Sequence, residues 1–152
     1  MKETVRHYVA FNDMRLARQP KTLTNLSTKK PITVPAGVMV SISPYLTHHD
    51  PATWKTPDEY VPERWLENPD LVKKLNSGGH IRYVPFGAGS HRCPGERMAL
   101  MMMKTIVAKV VMQCDISWPV GYENQNSANM DFGKIGSPWS KDEIRVVLKP
   151  RA

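Results

Sequence analysis

Between Gly95 and Cys114 the apolar residues recur at helical spacing. With successive residues set about 100° apart, Ala99, Leu100, Met103, Ile106, Val107, Val110, Val111 and Cys114 fall on one arc that holds no polar residue. Lys104, Thr105, Lys109 and Gln113 occupy the opposite half, together with Met98, Met101, Met102 and Met112. The pattern predicts a long buried helix whose apolar arc is a core face, with Cys114 as a buried structural thiol. The methionine cluster reads as adaptable packing rather than as a copper site.

Upstream the period shortens. Ile32 to Ser43, I-T-V-P-A-G-V-M-V-S-I-S, gives two short β-rich runs around a turn at Pro35, Ala36 and Gly37. The polar residues 21 to 31 read as a hairpin connection. Residues 1 to 11 read as the end of a helix, with Glu3 and Arg6 three apart and so on one face. Leu66 to His80 reads as a meander with one helical turn at Leu71 to Leu75, ending in Ser77, Gly78 and Gly79. After Ile116 the chain turns at Pro119 and Gly121, runs through polar residues from Glu123 to Asn129, and ends in the strand E-I-R-V-V-L-K. Most of the 13 prolines lie between Pro20 and Pro94, which predicts short strands and turns there rather than long helices. The fold class expected is mixed α and β.

A chain of 152 residues is long enough for one modest core and too short to imply several domains. Its apolar and charged fractions, 41% and 23%, are those of a soluble globular protein. Lys and Arg number 21 against 14 Asp and Glu, an excess that suits an acidic partner, a nucleic acid or a membrane surface. The basic residues are scattered, however, and the aromatics are not interleaved with them, which argues against nucleic-acid binding. Two cysteines in unlike surroundings make no disulfide framework and fit a reducing compartment. No stretch approaches the roughly 18 consecutive apolar residues of a membrane span, and M-K-E-T-V-R-H-Y lacks the apolar core of a signal peptide. The chain is expected to be soluble, with no anchor of its own.

The chemistry concentrates in Y-V-P-F-G-A-G-S-H-R-C-P-G-E, Tyr83 to Glu96. Gly87 and Gly89 can take backbone angles closed to other residues, so the loop can double back tightly. Pro94 fits a first helical position, which places Cys93 at a helix N-terminus. Unpaired N–H groups and the helix dipole favour an anion there, and His91 and Arg92 add nearby donors; a thiolate is the expected state. Such a thiolate can serve as nucleophile, redox cysteine or metal ligand. His48 and His49 invite a second metal site, but adjacent histidines point in different directions, no Cys or carboxylate set at ligand spacing accompanies them, and Asp50-Pro51 marks a turn.

Phe86, Gly87, Gly89, His91, Cys93 and Gly95 fill in order the pattern F-G-x-G-x-H/R-x-C-x-G, which resembles the haem-binding loop of the cytochrome P-450 superfamily. The resemblance implies haem b as cofactor, with Cys93 as the axial thiolate on the iron. It implies further cofactor contacts from Pro85, Phe86, Gly87, Gly89 and Gly95, with Phe86 beside the iron–sulfur bond and His91 facing a propionate. M-R-L-A-R-Q-P, Met14 to Pro20, resembles the strand whose arginine meets a propionate, and Arg15 is the matching position. The E-x-x-R of Glu3 and Arg6 and the P-E-R-W of Pro62 to Trp65 resemble a pair of family motifs, so Glu3, Arg6 and Arg64 would form a buried ionic triad. Gly133 to Pro138 and the strand after it resemble the family's terminal hairpin, with Lys134 at a place where relatives carry an apolar residue.

The resemblance covers nearly the whole chain, yet the chain matches only about the last third of such a catalytic domain. Residues 1 to 152 are expected to be its C-terminal haem-binding portion: a helix end, a small β-sheet, the meander, the cysteine loop, the long helix and a C-terminal hairpin. The long central helix with its acid-alcohol pair is absent, so a fragment is inferred that is inactive alone and exposes apolar patches. The wording of three motifs looks most like the sterol 14-demethylases. The activity implied for the whole protein is oxygen-dependent hydroxylation or oxidative demethylation of a hydrophobic substrate such as a sterol. Its implied electron donor is an acidic reductase-like protein, for which Lys73, Lys74 and Arg82 offer a basic docking surface. Its implied location, in a eukaryote, is the cytoplasmic side of the endoplasmic reticulum membrane, reached through segments this chain lacks. Two other readings stand beside it: a cysteine-nucleophile enzyme using Cys93 and His91, and a non-catalytic haem-binding module.

Overall fold

A computed structural model describes residues 1–9, 11–25, 28–122, 130–131, 139–141 and 143–151, with residues 130, 131 and 139 described by backbone alone. Helix α1 is Lys2–His7, with Glu3 in its first turn and Arg6 and His7 in its last, the order that complements the helix dipole. Four short strands follow: β1 Asp13–Leu16, β2 Lys21–Thr24, β3 Pro31–Val34 and β4 Met39–Ile42. They form two nested antiparallel ladders rather than one small sheet. The inner one pairs Lys21 with Val34 through Thr24 with Pro31, and the outer pairs Asp13 with Ile42 through Leu16 with Met39. The two β-rich runs flanking Pro35 to Gly37 therefore do not pair with each other; each finds its partner in the chain before residue 25. Between the ladders Gly37 takes φ of +82° and donates its N–H to Ala17 O at 2.7 Å, a conformation that suits glycine.

Helix α2, Pro44–His48, starts on Ser43, whose hydroxyl accepts the N–H of Leu46, with proline in the first turn where its missing donor costs nothing. Two single turns come next, α3 Arg64–Glu67 and α4 Leu71–Leu75, the second at the position expected from the sequence. A 3-10 turn spans Gly89–His91, and α5 runs from Glu96 to Gln113. The helix opens on Gly95 rather than on Pro94, so Pro94 belongs to the turn ahead of it. Strand β5, Cys114–Ser117, pairs antiparallel with β8, Val147–Pro150, and β6, Met130–Asp131, pairs with β7, Trp139–Ser140. The terminal strand thus docks beside the end of α5. The expected turn at Gly133 to Pro138, with Lys134, lies outside the described residues, as does the stretch from Glu123 to Asn129.

The core sits away from the strands. Trp54, Trp65 and Leu75 are buried together, with Leu71, Val72 and Tyr83 packed against them. The ring centroids of Trp65 and Tyr83 are 5.0 Å apart and those of Trp54 and Trp65 5.7 Å, spacings at which tilted aromatic rings attract. Val9 is buried as well, and so are three polar residues, Glu3, Arg6 and His48.

Helix α5 corrects the expectation of a long buried helix. No residue in it is buried, and Ile106 is 58% exposed and Val107 47%. The arc itself is real: Ala99, Leu100, Met103 and Val110, all on it, are the half-buried positions beyond the first residue of the helix. Periodicity identifies which face is apolar; burial needs another element to cover it, and among the described residues the helix contacts chiefly β5. Cys114 is likewise half-buried, as the first residue of β5 rather than the end of the helix. Among the described residues no helix is long and apolar enough to cross a membrane.

These environments separate the two kinds of apolar residue energetically. Ile106→Lys is expected to change the stability of the chain by no more than about 0.5 kcal/mol, whereas Trp65→Ala costs about 3 kcal/mol or more. Urea denaturation followed by circular dichroism measures both.

Candidate functional site

The loop from Val84 to Gly95 is shaped by its own backbone. Gly87 N–H bonds to Val84 O at 3.3 Å, Arg92 N–H to Gly89 O at 3.2 Å and Cys93 N–H to Phe86 O at 2.8 Å. The last bond closes the loop on the cysteine. Gly87 takes φ of +77°, and a Cβ built there would meet His91 O at 3.2 Å and Arg92 Cα at 3.6 Å. Conformation and space both disfavour a side chain at that position. Gly89 also has positive φ, +64°, but faces open space. Pro85, Phe86 and Gly87 are half-buried, while Gly89, His91 and Cys93 are exposed. The loop thus presents the cysteine sulfur outward, two residues before the cap of α5.

Arg92 is paired with a carboxylate. Its guanidinium bonds bidentately to Glu96 at 2.6 and 2.8 Å, one helical turn away, and that hydrogen bond holds the Glu96 carboxyl below its ordinary range. A cavity of about 440 Å³ opens beside the loop, lined by Tyr83, Phe86, Gly87, Arg92 and Glu96 among others. Neither Cys93 nor Arg15 lines it. Arg15 stands apart on β1, opposite Val40, where it donates to both carboxylate oxygens of Asp13, Nη2 to Oδ2 at 2.7 Å.

Glu3, Arg6 and Arg64, by contrast, are brought together. Glu3 is 1% exposed, and its two oxygens accept from Arg6 Nη2 at 2.8 Å, Arg6 Nε and Val61 N at 3.0 Å, Arg64 Nε at 3.3 Å and Trp65 Nε1 at 2.8 Å. Burial alone would raise its pKa; these donors, Arg6 first, outweigh burial and hold the carboxyl below its ordinary value. Arg6 is fully buried and spends its remaining donors on the carbonyls of His48, Pro57 and Glu59 at 2.7 to 3.0 Å. Its guanidinium lies 5.3 Å from the Trp54 ring centre, which adds a cation–π contact. Arg64 completes its set on the carbonyls of Lys55 and Thr56.

Three members of this cluster had no signal in the spacing. Trp65 lies in the P-E-R-W stretch but was not singled out as a donor to Glu3, and Val61 contributes only backbone. His48, weighed above only as a metal ligand, is fully buried, with Nδ1 3.1 Å from Arg6 O and Nε2 2.9 Å from Val84 N. Its ring stacks on Tyr83, whose phenol burial keeps protonated and which donates to Lys2 O at 3.2 Å. Among the described residues no group of three or more His, Cys, Asp or Glu could hold a metal ion.

The profile of the cytochrome P-450 family matches residues 1–144. The chain belongs to the cytochrome P-450 family. It is 55% identical over 149 residues to the cytochrome P-450 monooxygenase pytD of Aspergillus terreus, covering 96% of this chain and 39% of that protein. It is 43% identical to the cytochrome P-450 monooxygenase pynD of Aspergillus niger, covering 98% of this chain and 32% of the relative. A trans-cinnamate 4-monooxygenase of Petroselinum crispum is 29% identical over 122 residues, 78% of this chain and 23% of its own. Among solved structures, retinoic-acid-bound cyanobacterial CYP120A1 superposes with a TM-score of 0.77 at 24% identity over 99% of this chain and 31% of that one, which shows the fold. The chain therefore spans about a third of the length of these relatives.

Haem, with iron held through a thiolate, is the cofactor of cytochrome P-450. The loop's shape fits such a group: an exposed thiol, a tight backbone turn at Gly87 that disfavours a Cβ, and the nearby N-terminal end of a long helix.

His48 makes folding of this site pH-dependent. Burial, helped by the charges of Arg6 and His49, lowers its pKa from 6.5 to about 4 in spite of its bond to the Arg6 backbone. Between those values the unfolded chain takes up a proton that the folded chain refuses, so stability is full above pH 6.5 and falls as pH drops toward 4. His48 alone accounts for roughly 3 kcal/mol of that loss, and the lowered pKa of half-buried His7 adds to it in the same direction. Urea denaturation at a series of pH values is expected to show this slope, and His48→Gln to flatten it.

Proposed function

We propose that residues 1–152 form the haem-binding portion of a cytochrome P-450 monooxygenase, with Cys93 as the axial thiolate, and that the whole enzyme oxidises a hydrophobic small molecule. The observation that carries this reading is the loop itself: the Cys93 N–H to Phe86 O bond and the tight positive-φ turn at Gly87 present an exposed cysteine within the family's six-position pattern. When bound, haem would supply oxygen activation, with electrons from a donor protein. The chain's own residues would bind and orient it: Cys93 would hold the iron through Sγ, Phe86 would pack beside the sulfur, and His91 and Arg15 would meet the propionates. Arg15 is already engaged by Asp13, so a propionate would share that guanidinium with a carboxylate. Exposed Lys73 and Lys74 in the last turn of α4, with Arg82, form the face an acidic donor would use.

The curated relatives at 55% and 43% identity are named monooxygenases, and the plant relative a trans-cinnamate 4-monooxygenase, which supports monooxygenation of a small molecule as the reaction. Demethylation of a sterol rests on motif wording alone, and none of these names contains a sterol; a hydrophobic small molecule is the substrate class proposed. For a eukaryotic enzyme of this kind the cytoplasmic face of the endoplasmic reticulum is the corresponding location. A cysteine nucleophile is less well supported, because among the described residues no carboxylate orients the His91 ring.

Iodoacetamide labelling read by mass spectrometry tests the ligand role, with Cys114 as internal control. Adding haem is expected to protect Cys93 and to leave Cys114 labelling unchanged. Equal labelling of Cys93 with and without haem would overturn the assignment.

A further inference from the structure

The buried charge cluster and the cysteine loop are distant in sequence, and a single imidazole bonds to the backbone of both. His48 O accepts Arg6 Nη1 at 2.7 Å, its Nδ1 faces Arg6 O at 3.1 Å, and its Nε2 faces Val84 N at 2.9 Å. A backbone N–H can only donate, so Nε2 is the acceptor and the ring proton is on Nδ1, where the Arg6 carbonyl takes it. Stacking on Tyr83, at 5.4 Å and 25°, and an edge contact to Trp54 set the ring plane. From Val84 the bonds continue into the loop: Val84 O accepts Gly87 N–H, and Phe86 O accepts Cys93 N–H.

We propose that His48 is the positioning residue of the Cys93 loop, its Nδ1–H tautomer transmitting the placement of Arg6 to Val84 and from there, through the turn at Gly87, to the cysteine. The consequence for haem rests on the reading of Cys93 given above; the hydrogen-bond geometry does not. Filling space would require a flat side chain here but no acceptor opposite Val84. The acceptor is therefore the property to test. On the other side Asn76 Oδ1 accepts the N–H groups of Arg82 and Tyr83 at 3.0 Å, so the approach to the loop is clamped from two directions.

Amide hydrogen exchange of Val84 and Cys93 in the 152-residue chain, compared between the wild type, His48→Gln and His48→Asn, separates these roles. Glutamine can place an amide oxygen where Nε2 stood; asparagine can place an amide nitrogen where Nδ1 stood but does not reach Val84. Val84 is expected to stay protected in His48→Gln and to exchange about tenfold faster in His48→Asn, with Cys93 following it. Full protection in His48→Asn, or equal loss in both variants, would overturn the proposal. So would a wild-type ring found by 15N chemical shifts in the Nε2–H tautomer, a reading on the native chain that holds even where a variant fails to fold. None of these readouts uses haem, so failure of haem binding would count against the proposed function and leave this inference standing.

Discussion

A carboxylate taken out of water must be met by donors on every side, and Glu3 is such a carboxylate. Its donors come from α1, from the irregular segment ending at Val61 and from α3, and its partner Arg6 reaches the backbone of α2 and of the same segment. Residues 49 to 63 contain no helix or strand. Their carbonyls serve as acceptors for two guanidinium groups: Pro57 and Glu59 for buried Arg6, Lys55 and Thr56 for half-buried Arg64. Removing one member leaves the rest buried without a partner, which is more costly than the net worth of the cluster. Charge satisfaction here does the work that regular secondary structure does elsewhere.

The same cluster explains why a loop made mostly of turns can hold a cysteine in place. Trp65 bonds to Glu3 on one edge and packs on Tyr83 with its ring, and Tyr83 begins the segment that leads to Cys93. Beyond Val84 the shape is local, set by the glycine turn and by the bond from Cys93 to Phe86. The sulfur is exposed, and so are Ile106, Val107 and Val111 of the apolar arc of α5. Both faces are consistent with a chain that spans about a third of its relatives' length.

Where chemistry demands a residue type at a fixed spacing, the sequence was readable. The glycine turn of the cysteine loop, the acid–arginine pair and the arginine of P-E-R-W are of that kind, and the helical turn at Leu71 also falls where the pattern put it. Burial was read less well. The arc of α5 is apolar for reasons visible in its spacing, but whether it is covered depends on elements no pattern within the helix can report. Arg92 was read as a donor near the thiol because the two are adjacent; its pairing with Glu96, one turn on, through two short hydrogen bonds was not foreseen. His48 was invisible for a related reason: its partners are backbone groups of Arg6 and Val84, which leave no trace in side-chain identity.

The central claim is that the charge cluster and the glycine turn together hold Cys93 as a thiolate ligand for haem. The reduced, carbon-monoxide difference spectrum of the purified chain with added haem tests it most directly. The account predicts a Soret band in the strongly red-shifted position of thiolate ligation, lost in Cys93→Ser. A histidine-type band, or the same spectrum from Cys93→Ser, would contradict it.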